Sequence, residues 1–110
     1  MILKDIYEEI QSRKENPVEN SYINYLQKEG VKKICKKIGE EASEAIIEAV
    51  DNDREGLIKE ISDLVFHTLV LMHEKGITLQ DIADKLAERA LKKGNLKQKK
   101  TSIGFEAGIP

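Results

Sequence analysis

Two runs of apolar residues at helical spacing, divided by three short polar residues, constrain this chain more than any other feature. From Val31 to about Val50, the residues Ile34, Ile38, Ala42, Ala45, Ile46 and Ala49 recur every three or four positions, which predicts a helix of about five turns. From about Arg54 to Lys75, the residues Leu57, Ile58, Ile61, Leu64, Val65, Leu69 and Met72 repeat the pattern. Between the runs stands Asp51-Asn52-Asp53, whose side chains compete for backbone hydrogen bonds and favour turns and caps. So short a connection predicts that the two helices fold back as an antiparallel hairpin.

The flanking segments are also helical. Ile2, Leu3, Ile6 and Ile10 mark a short amphipathic helix over 2–14, ending before Glu15-Asn16-Pro17 because the residue preceding proline avoids the helical region. Residues 15–21 are then a loop in which Asn20 and Ser21 offer a cap. Tyr22, Ile23 and Leu26 open a second short helix that Gly30 ends. Gly76 closes the second long helix, and Thr78 begins a last one, from Leu79 to about Lys93, carrying Leu79, Ile82, Ala83, Leu86 and Ala90. No strand alternation or internal repeat is present. Charged residues make up 35% of the chain and aromatics 5%, a profile that suits charged helices better than a sandwich of strands. The expected fold is all-α: a bundle of about five helices built on the hairpin, in one domain over 1–94. Residues 95–110 set Lys97, Lys99 and Lys100 against Glu106 with only scattered apolar anchors. They are expected to be a flexible tail.

Charge excludes several classes of function. With 18 basic and 20 acidic side chains, a net −2 gives no bias toward nucleic acid or anionic membrane. The basic tail lacks the interleaved aromatics of a nucleic-acid surface. Leu64 to Met72, the longest strongly apolar run, contains His67 and is too short to span a bilayer. The N-terminus lacks a signal-peptide layout, and a lone Cys35 excludes an internal disulfide framework and fits a reducing compartment. The expected location is the cytoplasm. A 110-residue chain has a thin core, and Leu64, Val65, Phe66, Leu69, Val70, Leu71 and Met72 surround their helix almost completely. One side should be covered by a second subunit, making a homodimer that completes the bundle.

The acids are the most informative residues. Glu40, Glu41 and Glu44 lie on the first long helix, Glu60 and Asp63 on the second. Positions three apart differ by roughly 60° around a helix, so Glu41 with Glu44, and Glu60 with Asp63, each make one stripe. Both stripes border the apolar face, and no lysine or arginine lies four residues onward to neutralise either: Glu41 meets Ala45, Glu44 meets Glu48, Glu60 meets Leu64 and Asp63 meets His67. Folded back on one another, the helices bring four mutually repelling carboxylates together. A hard divalent cation resolves the repulsion, and Mg²⁺ prefers oxygen ligands while keeping waters that phosphate oxygens can replace.

Other residues are read against their plain structural roles. Lys36 and Lys37 lie within about a turn of Glu40 and Glu41 and can hold phosphate as point charges, whereas Lys32 and Lys33 fit a solvated face equally well. His67, one turn after Asp63 in an apolar run, is expected as a buried, hydrogen-bonded core histidine. Gly39 inside a helix costs up to about 1 kcal/mol relative to alanine, which points to close packing or the approach of a ligand. Cys35 is expected as a packed thiol.

The stretch KKIGEEASEAIIEAVDNDREGLIKEISDLVFHTLVLMHEKGITLQDIADKL, with SYINYLQKEGVKKICKK upstream, resembles the phosphoribosyl-ATP pyrophosphohydrolases of histidine biosynthesis. These belong to the all-α nucleotide pyrophosphohydrolase superfamily that includes MazG-like proteins and dimeric dUTPases. The acidic spacing alone fits the whole superfamily; the GEEASE, DLVFHTLVLM and GITLQDIADKL segments favour the histidine-pathway member. The resemblance covers roughly residues 1–93 and implies Mg²⁺-dependent hydrolysis of phosphoribosyl-ATP to phosphoribosyl-AMP and pyrophosphate. Carried over residue by residue, it gives Glu41, Glu44, Glu60 and Asp63 as metal ligands. It gives Glu40 an outer-shell or water-orienting part, with an acidic side chain or the metal activating the nucleophile. By the same resemblance Ser21 and Tyr22 reach the substrate, although capping and core packing account for them nearly as well. A MazG-like enzyme acting on another nucleotide, or a helical interaction module with purely surface acids, remain the alternatives.

Overall fold

A computed structural model of the chain describes residues 1–92. The order is α1 (Ile2–Glu15), α2 (Tyr22–Glu29), α3 (Val31–Val50), α4 (Arg54–Glu74) and α5 (Leu79–Ala90). Among the described residues there is no strand, and the fold is all-α. No described helix is long and apolar enough to cross a membrane. The expected tail, 95–110, lies outside the described residues.

The chain divides into two compact units, the first being Met1–Gly76. Its core is small and fully aliphatic at the centre: Ile10 of α1, Leu26 of α2, Ile34 of α3 and Val70 of α4 have no meaningful exposure, and Ile23, Leu69 and Met72 are nearly as buried. Each is the inward member of an amphipathic helix, so every helix of the unit contributes one or more residues.

Polar side chains tie the short helices together. Ser21 is the N-cap of α2, its Oγ accepting from the Asn24 amide at 3.2 Å. The same oxygen accepts from Arg13 Nη1 at 2.6 Å. Asn24 Nδ2 donates to the Arg13 carbonyl at 2.8 Å, and Gln27 Nε2 to the Ile10 carbonyl at 3.1 Å. The first donor satisfies a carbonyl that the last turn of α1 leaves open, and the second adds a bond to a carbonyl inside the helix. Gly30, at φ 92°, lets α2 turn directly into α3.

The hairpin turn follows from its three residues. Asp51 ends α3, Asn52 takes a left-handed φ of 58°, and Asp53 caps α4 by accepting from the Gly56 amide at 3.0 Å. Contacts across the hairpin pair residues in opposite order along the chain: Glu48 lies against Gly56, Glu44 near Glu60, and Glu41 against His67. The helices are therefore antiparallel.

In the second unit, from Ile77 onward, a complete capping box starts α5. Asp81 N–H donates to Thr78 Oγ1 at 3.1 Å while Thr78 N–H donates to Asp81 Oδ2 at 2.8 Å. No residue of α5 is buried, and Ile82 and Leu86 are exposed.

One expectation about a single residue fails, and another is narrowed. Cys35 is exposed, not packed: it follows the buried Ile34 and points about 100° away from it. At Gly39 an added Cβ would meet no neighbour within 4 Å, so close packing does not explain that glycine.

Candidate active site

The seam between α3 and α4 is polar for much of its length. Glu41, Glu44 and Glu48 share one stripe of α3, and Gly56, Glu60, Asp63 and His67 share one stripe of α4, since steps of three and four residues stay on a face. Ligand oxygens of Glu44, Glu48 and Glu60 all lie within 4.8 Å of one another. Glu48 is the member that the sequence reading missed. Its signal was present as the acid one turn beyond Glu44, where it had been weighed only as a failure to neutralise. Partial burial and the charges of Asp53, Glu44, Glu60 and Asp51 raise its pKa above the ordinary carboxylate value, as mutual repulsion requires.

Two of the expected ligands are engaged differently. Glu41 is 9% exposed, with Oε1 2.7 Å from His67 Nδ1. Asp63 Oδ2 is 3.3 Å from Lys59 Nζ, and the same ammonium is 3.5 Å from Glu60 Oε2. The α4 acids thus have a basic neighbour, not four residues onward but before them in sequence, four residues ahead of Asp63. The two acids in turn hold the Lys59 ammonium above its usual pKa, through the hydrogen bond to Asp63 first.

His67 is buried, as expected, at 4% exposure. Its Nδ1 faces Glu41 Oε1 and, at 2.9 Å, the Asp63 carbonyl; both are acceptors, so Nδ1–H donates to the pair. Nε2 stands 2.8 Å from the Tyr22 hydroxyl. Tyr22 lies almost parallel to Tyr25 and Phe66, with centroids 5.9 and 6.1 Å away, and is 45% exposed. Partial burial, then the charge of Glu41, then Tyr25 and Asp63, raise the Tyr22 pKa, so this hydroxyl feels the acidic seam.

Glu40 and Lys36 are exposed and Lys37 partly so; neither lysine enters an ion pair among the described residues. Ser21 is occupied by the α2 cap and by Arg13. At the turn end of the seam, Glu48, Ala49, Asn52, Asp53, Arg54 and Leu57 line an open hollow of about 260 Å³.

A helical pair that gathers carboxylates along its seam offers hard oxygen donors and a mutual repulsion that positive charge relieves. Residues 3–90 match the phosphoribosyl-ATP pyrophosphohydrolase family. The chain is 48% identical to a phosphoribosyl-ATP pyrophosphatase of Clostridium acetobutylicum over 93% of both chains. It is 50% identical to one of Listeria monocytogenes over 90% of this chain and 95% of the other. A histidine biosynthesis bifunctional protein HisIE of Caldanaerobacter subterraneus matches 80% of this chain at 50% identity, over 43% of its own length. This chain belongs to the phosphoribosyl-ATP pyrophosphohydrolase family.

Proposed function

We propose that this protein hydrolyses phosphoribosyl-ATP to phosphoribosyl-AMP and pyrophosphate in histidine biosynthesis, using a divalent cation, Mg²⁺, held by acids of the α3–α4 seam. Membership of the family across residues 3–90, on a chain that gathers its carboxylates in one seam, carries this reading. The residues fit such an ion. Glu44, Glu48 and Glu60 supply oxygens at mutual distances one cation can bridge, and the Lys59 ammonium already rests between Glu60 and Asp63, where positive charge is favoured. When bound, a hard dication neutralises the polyphosphate and stabilises charge on the departing pyrophosphate.

The chain's own residues divide the remaining work. Glu41, Glu44, Glu60 and Asp63 hold the cation, with Glu48 as an additional oxygen donor. Glu40, exposed beside Glu41, orients the attacking water, with Glu41 as the acid nearest to accept its proton. Lys36 and Lys37, one turn earlier on α3, receive phosphate oxygens, and Tyr22, with Ser21 beside it, borders the substrate.

The working form is a homodimer. Ile58, Ile61 and Val65 make an exposed stripe on α4, and Ile46, Ile47 and Val50 are exposed on α3. Apolar rows of that extent mark a surface that another subunit covers. An exposed free thiol at Cys35 suits the reducing cytoplasm.

The test is pyrophosphate release from phosphoribosyl-ATP beside a panel of deoxynucleoside triphosphates, with and without Mg²⁺. Release from phosphoribosyl-ATP that requires Mg²⁺ is the expected result. Preference for a deoxynucleotide would assign the chain to the MazG-like branch of chemistry instead.

A further inference from the structure

We propose that His67 is a positioning residue, which fixes a carboxylate of the cation-binding set and a hydroxyl on the substrate side in one rigid relation. The inference rests on the assignment of Glu41 to that set. His67 joins three helices: its Nδ1 is held at 2.7 Å by Glu41 of α3 and at 2.9 Å by the Asp63 carbonyl of its own helix, and its Nε2 lies 2.8 Å from Tyr22 Oη of α2. Rotation of the ring breaks all three contacts at once.

The surroundings argue that this polarity serves the site and not the core. Leu64 to Met72 is otherwise apolar apart from Thr68, and a leucine at 67 would fill the space without desolvating an imidazole and a carboxylate. Instead both polar groups are buried, at 4% and 9% exposure, and each finds a partner. A ring nitrogen that donates to a ligating carboxylate fixes which oxygen remains free and where it points. The other nitrogen anchors Tyr22, whose ring stacks near those of Tyr25 and Phe66, so the tyrosine has a defined place relative to Glu41.

Two isosteric substitutions separate the two grips. An asparagine amide nitrogen takes the place of Nδ1, whereas a glutamine amide reaches the place of Nε2. His67→Asn should therefore keep the hold on Glu41 and release Tyr22, and His67→Gln should do the reverse. The readouts are Mn²⁺ titration of the protein alone, followed by its paramagnetic signal, and KM and kcat with phosphoribosyl-ATP. Expected for His67→Gln is a loss of roughly ten- to hundredfold in Mn²⁺ affinity, with lower kcat. Expected for His67→Asn is Mn²⁺ affinity close to the parent's with raised KM, a behaviour that Tyr22→Phe should share. Equal losses in both His67 variants, or none in either, would overturn the proposal. If neither variant folds, a double-mutant cycle of Tyr22→Phe and Glu41→Gln with His67 intact decides it, and strictly additive effects on the affinity for phosphoribosyl-ATP would overturn it. A Mn²⁺ split between the two variants, with a parent protein that releases no pyrophosphate from phosphoribosyl-ATP, would leave His67 in place and remove the substrate assignment.

Discussion

Gly56 lies directly beneath Glu48: a Cβ on residue 56 would stand 2.9 Å from the Glu48 carboxyl carbon and 2.7 Å from Asp53 Oδ2. An alanine there must push both carboxylates aside. Helix propensity favours Gly56→Ala by up to about 1 kcal/mol, and disturbing the Asp53 cap costs about the same, so stability should barely change. The cation affinity should fall, because Glu48 is moved from Glu44 and Glu60. Calorimetry of Mn²⁺ binding beside the melting curve checks this; unchanged affinity would mean that Glu48 is no donor.

Removing charge from Glu48 should stabilise the cation-free protein in a pH-dependent way. Its folded pKa is raised, so the wild type loses stability as pH rises from the ordinary carboxylate value through the folded one. Glu48→Gln escapes that loss. The variant should melt higher than the parent at neutral pH, and the difference should shrink as pH falls into the ordinary carboxylate range. Melting curves at pH 4 and pH 7 give the comparison, and a difference that grows toward low pH would contradict the repulsion argument.

Lys59 competes with any cation for Glu60 and Asp63. Its contacts are 3.5 and 3.3 Å long on a side chain that is 69% exposed, so they add little to folding. Lys59→Met should leave the melting temperature within a few degrees. It should also tighten Mn²⁺ binding several-fold, up to the worth of one exposed ion pair. Weaker binding in the variant would show that the lysine supports the site.

A charge in the exposed apolar stripe should separate the subunits. Ile61 stands between Ile58 and Val65 and is 46% exposed, so Ile61→Asp costs the isolated chain little. Light scattering should report a dimer for the parent and a monomer for the variant at micromolar concentration. A parent that is monomeric would contradict the dimer.

Elements whose pattern is periodic and whose ends carry chemistry were legible in the sequence: the Asp53 and Thr78 caps, the breaks at Gly30 and Gly76, and the two long helices. Such signals are local, set by residues within a turn of each other. What escaped depends on contact across the hairpin. That Glu48 needs a glycine opposite, or that His67 grips Glu41, is fixed by the register of α3 against α4, which no single helix encodes. Cys35 was misplaced for a related reason: its neighbour Ile34 is buried, but one residue moves a side chain by about 100°. Lys59 neutralises Asp63 from the N-terminal side, a direction that the residues four onward from each acid do not reveal.

Whether the acidic seam carries the reaction is decided by pyrophosphate release from phosphoribosyl-ATP by Glu60→Gln, measured with saturating Mg²⁺ beside the parent. Glu60 is mostly buried in the seam, it is within reach of Glu44 and Glu48, and the change alters charge with almost no change in shape. The expected result is a helical, folded protein whose turnover has fallen by two orders of magnitude or more, roughly the loss of a main cation ligand. Turnover equal to the parent's would show that the acidic seam does not carry the reaction.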